Sequence, residues 1–261
     1  MSAIAYTVAD SATMLRRSLK HAVRYPIITY LIATPVIFLA LFVYVFGDTL
    51  GAGIGGTGKD AYLQYVVPGV LMLTIAGGVT GPAISVSKDL TEGIIARFRT
   101  MDISRSAVLT GHVLGSLAQV LLAVVVVTAV ALLMGFRATG GTLFGWLSAA
   151  ALLVAIGSVL CWLGAAFGVF AKGVESASNL PMPLLILPFL GSGFVPTDSM
   201  PGWLQWFADY QPFTPFIDTL RALLFGTALG SSAWLSLAWI ATIGLGGWAW
   251  ARHLYERKTV R

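Results

Sequence analysis

Three histidines, His21, His112 and His253, one cysteine, Cys161, and 11 acidic residues are the side chains with which this 261-residue sequence could do nucleophilic, acid–base or metal chemistry. The histidines stand far apart and without ligand spacing, each at the edge of an apolar run, so interfacial packing is the role expected of them. Cys161 lies inside such a run, where a lone thiol forms no intrachain disulfide and serves as a small packing residue. No nucleophile with its base, no carboxylate pair and no metal-ligand cluster is visible, which argues against catalysis by this chain.

One stretch imitates a phosphate-binding loop. Gly51-Ala52-Gly53-Ile54-Gly55-Gly56 fits G-x-G-x-x-G, and Gly53 to Lys59 fits G-x-x-x-x-G-K. A working loop of the second kind needs Ser or Thr next, to meet magnesium, and must join a strand to a helix. Asp60 stands there instead, where its charge would repel phosphate, so a flexible glycine linker is the expected reading. No cofactor is expected on this chain.

The elements that must carry these residues follow from composition. With 57% hydrophobic and 10% charged residues, against about 25% charged in soluble domains, most of the chain must have lipid as its solvent. Only helices and closed barrels satisfy every backbone N–H and C=O in hydrocarbon, and the apolar stretches here are continuous rather than alternating. The expected fold class is therefore all-α, a polytopic membrane protein. Six runs free of Asp, Glu, Lys, Arg and His have spanning length: 27–46, 66–86, 113–135, 146–170, 177–194 and 231–251. The third holds 13 Leu, Val, Ile or Phe between Val113 and Met134, worth roughly 4 to 8 kcal/mol of insertion free energy. That outweighs the strand propensity of Val124 to Val127.

Orientation follows from Lys and Arg between the runs. With the N-terminus inside, cytoplasmic segments carry Arg16, Arg17, Lys20, Arg24, Lys88, Arg97, Arg99, Arg105, Lys172, Arg252, Arg257, Lys258 and Arg261, or 13 of the 16. Lys59, Arg137 and Arg221 stay outside. The net charge of +5 is thus an orientation signal at helix ends rather than a nucleic-acid patch. The expected organisation is a cytoplasmic amphipathic segment 1–26, a six-helix transmembrane domain 27–251 and a cytoplasmic tail 252–261 in the cell's inner membrane. The first run is too long for a signal-peptide core and precedes Gly47-Asp48-Thr49-Leu50, not a cleavage site, so it is expected to stay attached.

The segments between the runs add detail. Asp10-Ser11 caps a predicted helix with Leu15, Leu19 and Ala22 on one face and Arg16, Arg17, Lys20 and Arg24 around the other, either an interfacial helix or a solvated basic tail. In 87–106, Asp89 and Glu92 fit a capping-box-like start, after which Leu90, Ile94, Phe98 and Met101 recur at helical spacing while Arg97 and Arg99 project elsewhere. Such a helix buries its apolar face on the bilayer or in a partner's groove. In 194–230, Pro196, Pro201, Pro212 and Pro215 leave two short helices, 202–210 with Trp203, Trp206 and Phe207, and 216–225 with Asp218 and Arg221 at pairing distance. Their aromatics suit re-entrant or interfacial pieces on the outer side. Gly77 with Gly81, Gly111 with Gly115, and Gly164 with Gly168 permit close helix packing, within one bundle or across a homodimer seam. Pro35, Pro82, Pro181, Pro183 and Pro188 are expected to kink or interrupt helices.

Ion-coupled transport usually leaves an ionisable residue within the spans, and these runs contain none. An apolar bundle without its own energy source fits amphipathic or lipid-like cargo moved by an external motor; an intramembrane enzyme or a channel is the competing class.

The same stretches resemble a family. Lys88-Asp89-Leu90-Thr91-Glu92-Gly93 through Arg97-Phe98-Arg99-Thr100-Met101-Asp102-Ile103-Ser104-Arg105, then Gly191-Ser192-Gly193-Phe194-Val195-Pro196 with Ser199-Met200-Pro201-Gly202-Trp203-Leu204-Gln205, then Pro212 to Arg221 are similar in order and spacing to type-2 ABC transporter permeases of the daunorubicin-resistance type. Asp102 replaces that family's usual proline. The resemblance implies an ATPase on a separate chain, which would hold the ATP and magnesium, and a second permease copy or sister permease. It makes 89–101 the coupling helix, with Asp89, Glu92, Arg97 and Arg99 toward the ATPase and Leu90, Ile94, Phe98 and Met101 in its groove. It places Trp203, Trp206, Phe207, Asp218 and Arg221 at an extracellular gate. The implied cargo is a hydrophobic drug, antibiotic or lipid, with lipid or polysaccharide export as the alternative within the family.

Overall fold

The computed structural model describes residues 27–56, 58–92 and 105–258, and all regular structure among them is helical. In chain order these are α1 (Ile27–Val45), α2 (Gly47–Gly53), α3 (Gly58–Gly78), α4 (Thr80–Thr91), α5 (Arg105–Leu133), α6 (Leu143–Phe170), α7 (Val174–Asn179), α8 (Met182–Ile186), α9 (Gly202–Tyr210), α10 (Phe213–Phe225) and α11 (Gly230–Lys258). The predicted N-terminal amphipathic helix and residues 93–104 of the predicted coupling segment lie outside the described residues.

Four stretches have the length and composition to cross a membrane: Ile28–Val45, Gly58–Thr91, Leu109–Leu133 and Leu143–Phe170. They coincide with the first four predicted runs to within a few residues, except that the second extends well beyond its run at both ends. The sixth run forms the continuous 29-residue α11, whose four tryptophans and four glycines lower its hydropathy although Trp is at home where bilayer meets water.

The fifth run departs from expectation. A spanning helix over 177–194, kinked or interrupted at its prolines, is the expectation; the structure breaks it further, into α7, α8 and then turns through 187–194. Pro181, Pro183 and Pro188 each remove a backbone N–H and clash with the preceding turn, so no continuous helix survives them. The broken segment nonetheless traverses the bundle. Ala177 packs with Ala83 in α4, while the Phe194 carbonyl accepts a hydrogen bond from Tyr62 in α3. Those two levels lie roughly 30 Å apart at 1.5 Å per helical residue.

The α3–α4 pair is the centre of the molecule: it is mostly buried, whereas α1 presents most of its surface outward. Tyr62, Leu63, Met72 and Ile75 are fully enclosed. The helix breaks at Val79, whose N–H turns to the Ala76 carbonyl, because Pro82 has no N–H to offer the carbonyl four residues back. On one flank α6 lies against this break. A Cβ on Gly164 would collide with the Val79 carbonyl oxygen and one on Gly168 with that of Ala83, so two backbones meet where only glycine fits. Gly77 and Gly81 are roomier, with nearest neighbours at 3.6 Å and 3.5 Å from an added Cβ; Gly111 and Gly115 are buried in α5. Phe189 and Phe194 stack at 4.3 Å and Phe42 of α1 meets Phe194 at 4.7 Å, fastening the broken segment to α1.

Candidate functional site

The bundle has two ends, one where α3 begins near Lys59 and one where α4 stops at Glu92. Each gathers polar side chains.

At the Lys59 end the turns after α8 leave carbonyls that no continuous helix serves, and side chains of α3 and α10 serve them instead. Tyr65 Oη donates to the Ser192 carbonyl at 2.9 Å and Tyr62 Oη to the Phe194 carbonyl at 3.0 Å. Arg221 extends from α10: Nη1 donates to Asp218 Oδ1 at 2.8 Å, and Nη2 to the carbonyls of Ser192 at 2.9 Å and Tyr65 at 3.3 Å. Ser192 Oγ donates to the same Asp218 oxygen at 2.7 Å. The guanidinium lies 4.2 Å from the centre of the Tyr65 ring, which covers one of its faces. Gln211, buried between α9 and α10, donates to the Leu187 carbonyl at 3.1 Å. The predicted Asp218–Arg221 pair is therefore formed, but within a network closed on the protein's own backbone. Arg221 Nε is buried without a hydrogen-bond partner among the described residues.

The α9 helix reaches away from this network. Trp203 and Trp206 are 76% and 68% exposed, and Trp206 touches Tyr210 at 5.7 Å along the same face. Residues three and four apart share a helix face, so the pattern leaves an aromatic stripe largely uncovered by the described residues. The glycine-rich stretch before α3 follows helix α2, not a strand, and the Lys59 N–H donates to Asp48 Oδ1 at 3.1 Å. That is the setting of a helical turn, not a phosphate loop.

At the Glu92 end, three of the predicted coupling contacts are described. Glu92 is exposed and lies 3.8 Å from Lys88. Leu90 is partly buried and packs on the core. Asp89 turns inward: it is 8% exposed, and its Oδ2 lies 2.8 Å from Nε2 of His112 on α5. In the structure of this chain the Asp89 carboxylate is therefore engaged with a neighbouring helix. Ile94, Arg97, Phe98, Arg99 and Met101 lie outside the described residues.

Sequence reasoning missed His112, Tyr62, Tyr65, Ser192 and Gln211. The signal available for His112 was its place beside an apolar run, in a helix that begins at Arg105 rather than at the run's first residue. Tyr62 and Tyr65, three apart at the start of a span, read equally well as interfacial aromatics. Among the described residues no three His, Cys, Asp or Glu side chains gather as a metal site would require.

Comparison with known proteins places this architecture. Residues 11–225 match the family model described as ABC-2 type transporter. The chain is 32% identical over 226 residues, 86% of its length and 78% of the relative's, to a daunorubicin resistance ABC transporter permease protein of Streptomyces coeruleorubidus. It is 25% identical over 217 residues, 81% of its length and 75% of the relative's, to the "probable doxorubicin resistance ABC transporter permease protein" of Mycobacterium tuberculosis. To an inner membrane transport permease of Escherichia coli it is 27% identical over 190 residues, 72% of either chain.

Proposed function

This chain belongs to the ABC-2 type transporter family, and from that premise we propose that it is the membrane permease of an exporter driven by a separate ATP-binding-cassette ATPase. The observation that carries the reading is similarity to a daunorubicin resistance permease over 86% of the chain. It is supported by a bundle in which the partly buried pairs Asp89–His112 and Asp218–Arg221 are internal ties. Such a protein has specific helices but no engine, and the work must come from a partner.

In this reading the chain crosses the inner membrane six times, the fifth by the broken segment, with both termini in the cytoplasm. Two permeases, identical or sister chains, stand on two ATPases. The N-terminal segment and 89–101 meet the ATPase, with Glu92, Arg97 and Arg99 in polar contact and Leu90, Ile94, Phe98 and Met101 in an apolar groove. The exposed Trp203, Trp206 and Phe207 helix closes the outer mouth over the Asp218–Arg221 network. The cargo is a hydrophobic drug, an antibiotic or a lipid, moved outward.

The test is co-expression with the ATP-binding-cassette ATPases of the same organism, followed by purification through a tag on the permease. The expected result is a complex that hydrolyses ATP, lost in Phe98→Asp, and cells that lose daunorubicin tolerance when the pair is deleted. Recovery of the permease without an ATPase, or ATP turnover by the permease alone, would refute the reading.

A further inference from the structure

The position of the Asp89–His112 pair carries more than its chemistry. Asp89 lies in the last turn of α4 and His112 two turns into α5, so the 2.8 Å contact closes the base of the segment that runs from Glu92 to Arg105. A buried carboxylate is tolerated only with a strong hydrogen-bonding partner, and the imidazole supplies it from the neighbouring helix. On its other flank α4 is clamped by contact of α6 with the Val79 and Ala83 carbonyls and by Ala83 packing on Ala171 and Ala177. At the opposite end of α5, Gln64 Nε2 donates to the Gly135 carbonyl at 3.2 Å and the Arg137 N–H donates to Gln64 Oε1 at 2.9 Å. A run of stiff contacts thus leads from Glu92 through α4 and His112 to the far end of α5, the kind of contiguous packing through which displacement is transmitted.

We propose that Asp89 and His112 are positioning residues that make α4 and α5 move as one body when the 89–101 segment is displaced, carrying the ATPase stroke to the outer end of α5. This rests on the reading of 89–101 as the ATPase-docking segment.

The test uses the full permease–ATPase complex with a bimane fluorophore on Thr139→Cys, an exposed position between α5 and α6, in a Cys161→Ala background. ATP with vanadate is expected to shift the bimane emission in the parental complex. His112→Ala is expected to keep the ATPase bound and hydrolysing within about twofold, while the emission shift falls by about threefold or more. His112→Gln, which still donates a hydrogen bond to Asp89, is expected to recover most of the shift. If His112→Ala does not accumulate, the double variant Asp89→Asn/His112→Ala decides, because it breaks the tie without leaving a buried charge alone.

An undiminished shift in the alanine variants, or no nucleotide-dependent shift in the parental complex, overturns the proposal. So does loss of the ATPase from His112→Ala, which would make His112 a docking residue. Failure of the parental permease to bring an ATPase with it is a different result and refutes the functional reading instead.

Discussion

At the Lys59 end a guanidinium and two phenols donate to the backbone of one broken segment, with Asp218 and the Ser192 hydroxyl holding the guanidinium in place. At the Glu92 end a carboxylate and an imidazole join two unbroken helices side chain to side chain. The first arrangement exists because prolines released carbonyls that hydrocarbon cannot solvate, so its polar groups repair backbone. The second repairs no broken backbone, since Asp89 sits in an intact helix and its burial is a cost that His112 offsets. The two ends thus differ in what their polar groups finally hold: main-chain oxygens at a break on one side, and a neighbouring helix across a seam on the other.

Several substitutions would break or sharpen this contrast. Arg221→Ala should have the largest effect, because it strands Asp218 and leaves the Ser192 and Tyr65 carbonyls with fewer donors; a loss of about 3 kcal/mol is expected. It would be read as a drop in the midpoint of thermal unfolding in detergent, and Arg221→Lys should restore only part of it, since an ammonium lacks the planar fork. An Arg221→Ala protein as stable as the parent would mean that the network is incidental. Next come Gly164→Val and Gly168→Leu, which force side chains onto backbone carbonyls and should cost about 1 to 3 kcal/mol by the same assay. Tyr62→Phe removes one hydrogen bond to the Phe194 carbonyl and should cost about 1 kcal/mol; a larger loss would assign Tyr62 more of the repair than its geometry does. The smallest effects belong to Gly77→Ala, which has room for its methyl group, and Trp203→Ser, which lies on the exposed face. Both should leave stability within about 0.5 kcal/mol, and Trp203→Ser should lower export without lowering stability if α9 closes the outer mouth.

Much of the fold was legible in advance because hydrocarbon imposes a length and a composition. The runs at 27–46, 66–86, 113–135 and 146–170 each overlap a helical stretch of spanning length, with ends displaced where polar residues extend a helix beyond its apolar part, as Arg105 to His112 extend α5. The prolines in 177–194 were visible too. What they did there was not, because a proline in a span either kinks a helix or ends it, and the outcome depends on whether neighbours can serve the freed carbonyls. Here Tyr62, Tyr65 and Arg221 serve them. The Asp218–Arg221 pair was readable from its spacing of three, since such neighbours share a helix face whatever surrounds them. The Asp89–His112 pair was not, since its partners are 23 residues apart and meet only when α4 and α5 lie side by side.

The amino-acid sequence alone determined that the chain is helical, that lipid surrounds it and where its charged segments fall, because these follow from local composition and from the free energy of each residue in hydrocarbon. Tertiary structure alone decided which polar side chains face inward and what they hold, because burial and hydrogen-bond partnership belong to the neighbours a residue acquires on packing.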